Sequence, residues 1–120
     1  MFPAPAPSEK RPSLYVFYGD DGYGMSKAVQ TQIEKLGDPG VAEMNITRLS
    51  GNVRVEELRN AAYALPFLTE RRLVIVSSAL TLLKSVKNKE SLISLFENLP
   101  ETTGLVLLVE TEIDRKDWKD

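Results

Sequence analysis

Residues 14–24 read LYVFYGDDGYG, and this junction decides the fold of the chain. Leu14 to Tyr18 form an unbroken apolar and aromatic run, which is typical of a strand buried in a sheet. The glycines and acids from Gly19 to Gly24 predict a loop, because Gly and Asp favour turns. A buried strand that ends in a glycine-rich loop is typical of the start of an α/β domain.

The rest of the chain alternates between helical periodicity and short apolar runs. In chain order these are a helix marked by Met25, Val29, Ile33 and Leu36, a strand from Met44 to Leu49, a helix marked by Val55, Leu58, Ala62 and Leu65, a strand from Leu73 to Val76, a helix marked by Leu92, Leu95, Phe96 and Leu99, and a strand from Leu105 to Val109. The order βαβαβαβ predicts an α/β fold, a three-layer α/β/α domain with a mostly parallel sheet covered on both faces.

Two of the helix ends carry explicit stop signals. Gly37 and Pro39 are expected to end the first helix. Pro66 is expected to end the second helix at Leu65, because the residue before a proline avoids helical geometry.

The composition excludes several classes of function. The chain has 120 residues, enough for one domain, with 42% hydrophobic and 27% charged residues. It contains no Cys and no His, which excludes disulfides, Cys/His metal sites, thiol nucleophiles and Ser-His-Asp triads. Its net charge of −2 provides no global basic field for nucleic acid, so a protein partner or a small ligand is favoured.

The two ends of the chain differ in composition from the predicted domain. Residues 1–13 hold four of the seven prolines and are expected to be a disordered leader, and residues 14–120 form the predicted domain. No apolar run approaches the roughly 20 residues that span a bilayer, so we expect a cytoplasmic protein. Residues 114–120 resemble the opening turn of another helix, which indicates a fragment of a longer chain.

The glycine-rich loop occupies the position where α/β proteins bind phosphate. Against the pattern G-x-x-x-x-G-K-S/T, Gly19 and Gly24 fall on the glycines and Ser26 falls on the hydroxyl residue. Met25 replaces the lysine, so the phosphate-binding charge is missing. These four residues are therefore interpreted as a vestigial phosphate loop that is not expected to bind nucleotide, and no cofactor or metal is predicted.

Two other ligand-binding families are disfavoured by the same region. A dinucleotide fingerprint needs a Gly or Ala where Lys27 stands and an acid after the second strand, and neither is present. Receiver domains share an acidic pair after the first strand, but they carry an Asp near the position of Ser77. A turn that needs glycine, followed by an acidic helix cap, explains Gly19 to Gly24 without any ligand.

Three blocks together are specific: residues 15–23 (YVFYGDDGY), residues 65–76 (LPFLTERRLVIV), and Leu99-Pro100 before residues 103–109 (TGLVLLV). In this combination the chain resembles the N-terminal domain of the delta subunit of bacterial DNA polymerase III, a clamp loader subunit. The resemblance runs from about Leu14 to the end of the chain. It implies a module of the AAA+ or P-loop NTPase kind with decayed nucleotide motifs, followed in the full protein by a helical lid and a collar domain.

The resemblance implies a mechanical function in DNA replication. Such a subunit is not an enzyme by itself; it works within the DNA polymerase III holoenzyme, a DNA-directed DNA polymerase. Its implied partners are the sliding clamp (the beta subunit), which it binds and opens, the gamma/tau and delta prime subunits of the loader, and DNA indirectly through the complex. The resemblance places the clamp-binding wedge, by matching motif position, at Leu65, Pro66, Phe67 and Leu68.

The wedge residues can also be interpreted without the resemblance. Pro66 ends a helix, so Phe67 and Leu68 can project and anchor in a partner's pocket, or they can pack into their own core like most apolar residues at a helix end.

Arg71 and Arg72 are weak candidates for contacts with the clamp or DNA, because charged residues before a strand are usually only solvated. Lys84, Lys87 and Lys89 form a modest basic cluster.

Two alternative functions remain open at this point. A divergent P-loop ATPase or phosphotransferase would have to bind nucleotide despite Met25. A receiver-like protein-interaction domain would bind a partner other than the clamp and would be insensitive to changes at Phe67.

Overall fold

The structure is a computed structural model that describes residues 14–19 and 22–110. Its elements are β1 (Leu14–Gly19), α1 (Gly22–Glu34), α2 (Pro39–Met44), β2 (Ile46–Ser50), α3 (Val55–Tyr63), β3 (Arg72–Ser77), α4 (Ala79–Leu83), a 3-10 turn (Val86–Asn88), α5 (Lys89–Glu97) and β4 (Thr103–Glu110). The predicted leader, Asp20 and Asp21, and the predicted helical turn at residues 114–120 lie outside the described residues.

The four strands form one sheet, and every pair in it is parallel. The strand order is β1-β4-β3-β2, so the strand that comes last in the sequence lies in the middle of the sheet. Leu14 pairs with Leu105 across β1 and β4, and Val74 pairs with Leu105 across β3 and β4. The predicted α/β class and the parallel sheet are confirmed.

Helices cover the two faces of the sheet unequally. One face buries the larger core, in which side chains of β3 and β4 pack against α3, α4 and α5: Val74, Val76, Leu105, Leu107, Val55, Leu58, Leu82, Leu92 and Leu95. On the other face a smaller cluster centred on Leu73, Ile75 and Val106 packs against Val29 and Ile33 of α1. The sheet is therefore the middle layer of the predicted three-layer arrangement.

Two short helices were not predicted from the sequence. The first helix ends at Glu34, before Gly37 and Pro39, as predicted. Pro39 is also the first residue of α2, where its missing N–H costs nothing, and the Asp38 carboxylate caps this helix by accepting a hydrogen bond from the Gly40 N–H at 2.8 Å. Because α2 runs to Met44, β2 begins at Ile46 and not at the predicted Met44. The second short helix, α4, has only five residues, too few to show a helical period.

The end of α3 differs slightly from its prediction. The helix ends at Tyr63 and Ala64 is already extended, so the chain leaves the helix before the expected position at Leu65. Among the described residues every helix is too short to cross a bilayer, since α1, with 13 residues, is longer than each of the others.

Gly51 marks a close approach between the segments that follow β2 and β3. A Cβ atom added at Gly51 would lie 1.9 Å from the carbonyl oxygen of Ser78. Because the obstructing atom belongs to the backbone, no side-chain rotation can relieve the overlap, and the two segments must separate to admit any side chain.

We predict that Gly51→Ala lowers the free energy of unfolding by about 3 kcal/mol, because it forces apart two packed backbone segments. The matched control is Gly40→Ala, whose Cβ would meet only the Asp38 carboxylate at 3.4 Å and which should change stability by less than about 0.5 kcal/mol. Urea denaturation of both variants measures the difference, and equal stabilities would contradict the close approach at Gly51.

Candidate functional site

The candidate site is the segment from Ala64 to Arg71, which we call the tip loop. It connects the end of α3 to the start of β3, so it lies at the amino-terminal edge of the parallel strands. The predicted phosphate loop follows β1 at the opposite, carboxyl-terminal edge. A strand of six residues separates the two edges by roughly 20 Å, so the two candidate sites are independent.

The tip loop exposes three large apolar side chains. Leu65 is 80% exposed, Phe67 is 51% exposed and Leu68 is 74% exposed, while Pro66 between them is partly buried. Leu58, which lies on the predicted helical stripe with Leu65, is fully buried. Leu65 therefore does not complete the core, and the prediction that it lies on the apolar stripe of the second helix is wrong. Three exposed apolar side chains within four residues form a compact hydrophobic projection.

The Asn45 side chain is hydrogen-bonded to the backbone in the middle of the tip loop. Its side chain is fully buried, and its Oδ1 atom accepts a hydrogen bond from the Phe67 N–H at 2.6 Å. Its Nδ2 atom donates to the Phe67 carbonyl oxygen at 2.7 Å and to the Val41 carbonyl oxygen at 3.0 Å. The carboxamide thus pairs with the Phe67 backbone much as a neighbouring strand would.

Thr103 fixes both ends of the tip loop to the start of β4. The Thr103 hydroxyl is buried and donates to the carbonyl oxygen of Ala62, in the last turn of α3. The Thr103 carbonyl oxygen accepts a hydrogen bond from Nη2 of Arg71 at 2.9 Å. At the second end the Thr69 hydroxyl also donates to the Arg71 carbonyl oxygen at 2.6 Å.

Arg71 and Arg72 do not have the solvated surroundings that the sequence indicated. Arg71 is buried, and its guanidinium lies beside Gly104 and the Thr103 carbonyl group. Arg72 is half-buried and donates from Nη2 to the Thr47 hydroxyl at 2.7 Å. The hydrogen bonds of both arginines join neighbouring strands, and their weak candidacy for contacts with the clamp or DNA stays a prediction.

Leu68 adopts a backbone conformation that most residues avoid. Its φ angle is +63°, in the left-handed region, where an L-residue with a side chain costs roughly 1–2 kcal/mol. An exposed leucine gains little from packing that could offset this cost. A strained backbone persists where the surrounding structure determines it, and such positions cluster at binding sites.

The four residues predicted as a vestigial phosphate loop lie at the other edge of the sheet. Gly19 ends β1 with φ of +150°, and Gly24, Met25 and Ser26 lie inside α1, which begins at Gly22. The Met25 side chain is buried, in the place where the pattern requires an exposed lysine. An open depression of about 480 Å³ at this position is lined by residues that include Phe17, Met25 and Ala28.

A second group of exposed apolar residues lies around α4. Leu80, Leu83 and Val86 are exposed there, together with the predicted basic cluster of Lys84, Lys87 and Lys89. These residues are distant in sequence from the tip loop and share none of its hydrogen bonds. Within the described residues no group of three or more acidic side chains is arranged to hold a metal ion.

The solved structures that share this fold include the following two. The Bacillus subtilis DNA clamp loader delta protein matches with a TM-score of 0.69 and 25% sequence identity, over 85% of this chain and 32% of that chain. A DNA polymerase III gamma subunit-related protein from Thermotoga maritima matches with a TM-score of 0.68 and 14% identity, over 88% of this chain and 37% of that one. At 14% identity, the match to the Thermotoga maritima protein shows only that the two chains share a fold. The chain therefore spans about a third of the length of these structures.

The fold is that of a clamp loader subunit. A family model described as the delta subunit of DNA polymerase III matches residues 15–119, and the chain belongs to this family. The resemblance stated from the sequence is thereby confirmed. No curated protein matches the chain.

We predict that Leu68→Gly raises the free energy of unfolding by about 0.5 kcal/mol, because the left-handed strain that glycine removes is larger than the extra backbone entropy that glycine loses on folding. The matched control is Leu65→Gly, at a similarly exposed position that lacks a positive φ angle. This variant should lower the free energy of unfolding by about 0.5–1 kcal/mol. Chemical denaturation compares the two. A loss of stability at Leu68 as large as that at Leu65 would contradict the strained conformation.

Proposed function

We propose that the chain binds the sliding clamp of the replication machinery through the tip loop, with Leu65, Phe67 and Leu68 inserted into an apolar pocket of the clamp and Pro66 shaping the turn between them. The observation that carries this proposal is the exposure of these side chains on a loop whose backbone is held by buried hydrogen bonds. Membership of the delta subunit family supports the clamp as the partner.

The tip loop has enough apolar surface to dominate a small interface. Burial of a Phe or Leu side chain contributes roughly 1.5–3 kcal/mol before ordering costs. A loop that is already held in one conformation loses less entropy on binding than a mobile one. In the whole protein we infer that this binding stabilises the clamp with one subunit interface open.

We further propose that this domain performs no chemistry and binds no nucleotide of its own. Its fold is then an AAA+ module in which Gly19, Gly24, Met25 and Ser26 are the remnant of the phosphate loop, and the buried Met25 side chain supports this. The domain would act in the cytoplasm with the gamma/tau and delta prime subunits, and would reach DNA only through the assembled loader.

The first prediction of this proposal concerns clamp binding. The double variant Phe67→Ala, Leu68→Ala should weaken binding to the sliding clamp of the same organism by about a hundredfold or more, because about 3 kcal/mol or more of apolar burial is lost. Surface plasmon resonance with immobilised clamp measures the affinity. The matched control, Leu83→Ala with Val86→Ala, removes exposed apolar surface near α4 and should bind like the wild type.

Two outcomes would contradict the clamp proposal. Failure of the wild-type chain to bind the clamp would reject the partner, and undiminished binding by the Phe67, Leu68 double variant would reject the tip loop as the contact. A circular dichroism spectrum that matches the wild type shows that the variant is folded. Since both side chains are exposed, we expect the fold to be retained.

The second prediction separates this function from the ATPase or phosphotransferase alternative. Magnesium and ATP should leave the Tm of the chain unchanged, because a ligand raises Tm only when it binds the folded state. Differential scanning fluorimetry over a range of ATP concentrations makes the measurement. A rise in Tm that saturates with ATP would favour the nucleotide-binding alternative.

A further inference from the structure

Asn45 combines complete burial with a full set of hydrogen bonds. Its main-chain N–H donates to the Ala42 carbonyl oxygen at 2.8 Å, and its main-chain carbonyl oxygen accepts from the Leu73 N–H at 2.8 Å. Its side chain adds the two bonds to the Phe67 backbone and one to the Val41 carbonyl oxygen. One residue therefore joins the end of α2, the start of β3 and the middle of the tip loop.

The bonds between Asn45 and Phe67 require a carboxamide. Oδ1 must accept from an N–H while Nδ2 donates to a carbonyl oxygen, and only Asn and Gln present both groups side by side. In an aspartate, a carboxylate oxygen would take the place of Nδ2, which now lies 2.7 Å from the Phe67 carbonyl oxygen. Both atoms would then be acceptors, so no hydrogen bond could form between them. Glutamine would add a methylene to a fully buried site, and such overpacking destabilises a protein.

The two bonds act on the residue that carries the central apolar side chain of the loop. With its N–H and C=O both held, the Phe67 backbone cannot rotate to bring its side chain toward the core, so the ring stays half-exposed. The next residue, Leu68, takes the strained positive φ angle. The carboxamide therefore holds the loop in a conformation that its own apolar side chains do not favour.

We propose that Asn45 is the positioning residue of the tip loop, and that it preorganises Phe67 and Leu68 for the partner without touching the partner itself. The binding part of this inference rests on the proposed function. When a loop populates its competent conformation only part of the time, the apparent affinity falls by that fraction. Loss of the two bonds should therefore weaken binding although every contacting side chain is still present.

The variant that isolates this role is Asn45→Ser. A serine hydroxyl can still donate to the carbonyl oxygen four residues earlier, that of Val41, but it cannot reach the Phe67 backbone. The matched control is Tyr63→Phe, which also removes a hydrogen bond between a side chain and a backbone carbonyl group, that of Leu95 in α5, without contacting Phe67. Both variants lose stability, so stability alone cannot separate their effects.

The readout that is specific to positioning is the rate of hydrogen exchange at the Phe67 amide, measured by NMR. In the wild type this amide should exchange at least about a hundredfold more slowly than in a free chain, because its acceptor is buried. In Asn45→Ser it should exchange at least about tenfold faster than in Tyr63→Phe. Clamp affinity should fall at least about tenfold in Asn45→Ser and less than about threefold in Tyr63→Phe.

Each outcome supports or overturns the inference. Equal Phe67 exchange in the two variants, or unchanged clamp affinity in Asn45→Ser, would overturn it while leaving the clamp proposal intact. If the wild type fails to bind the clamp, the proposed function fails, and the exchange rates alone decide whether Asn45 orders the loop. If Asn45→Ser does not fold, the wild-type Phe67 amide decides, since exchange at the free-chain rate would overturn the inference.

Discussion

The hydrogen bonds between the buried Asn45 carboxamide and the Phe67 backbone are the constraint on which the tip loop depends. Leaving a buried polar group without hydrogen-bond partners costs more free energy than the hydrogen bonds themselves contribute. The conformation of the loop and that of the Asn45 side chain therefore depend on each other. Thr103 adds a second tie at the end of α3. With its backbone held in this way, the loop presents the apolar side chains of Leu65, Phe67 and Leu68 to solvent.

The parallel sheet separates two surfaces with different chemistry. The carboxyl-terminal edge, where α/β proteins bind ligands, carries the buried Met25 at the position where the phosphate-loop pattern has a lysine. The amino-terminal edge carries the tip loop, which is apolar and projecting. This distribution is what the proposed clamp contact at the tip loop requires, and the chain's membership of the delta subunit family agrees with that proposal.

The sequence predicted the elements that have strong periodicity and missed those that depend on tertiary contacts. The four strands and the helices α1, α3 and α5 follow from apolar patterns, whereas α2 begins at Pro39, a residue that also ends helices. The residues of the tip loop were predicted, but their exposure was not, because an apolar pair at a helix end can face either way. Asn45 was missed because its partner Phe67 is 22 residues away and the bonds use backbone atoms of that residue.

The measurement that tests the central claim most directly is hydrogen-deuterium exchange of the chain with and without the sliding clamp, read by mass spectrometry over all peptides. The account predicts that the clamp slows exchange in peptides that contain residues 64–70 and leaves those around α4 and the 3-10 turn unchanged. Protection centred on α4, or no change in the tip loop at clamp concentrations that saturate binding, would contradict it.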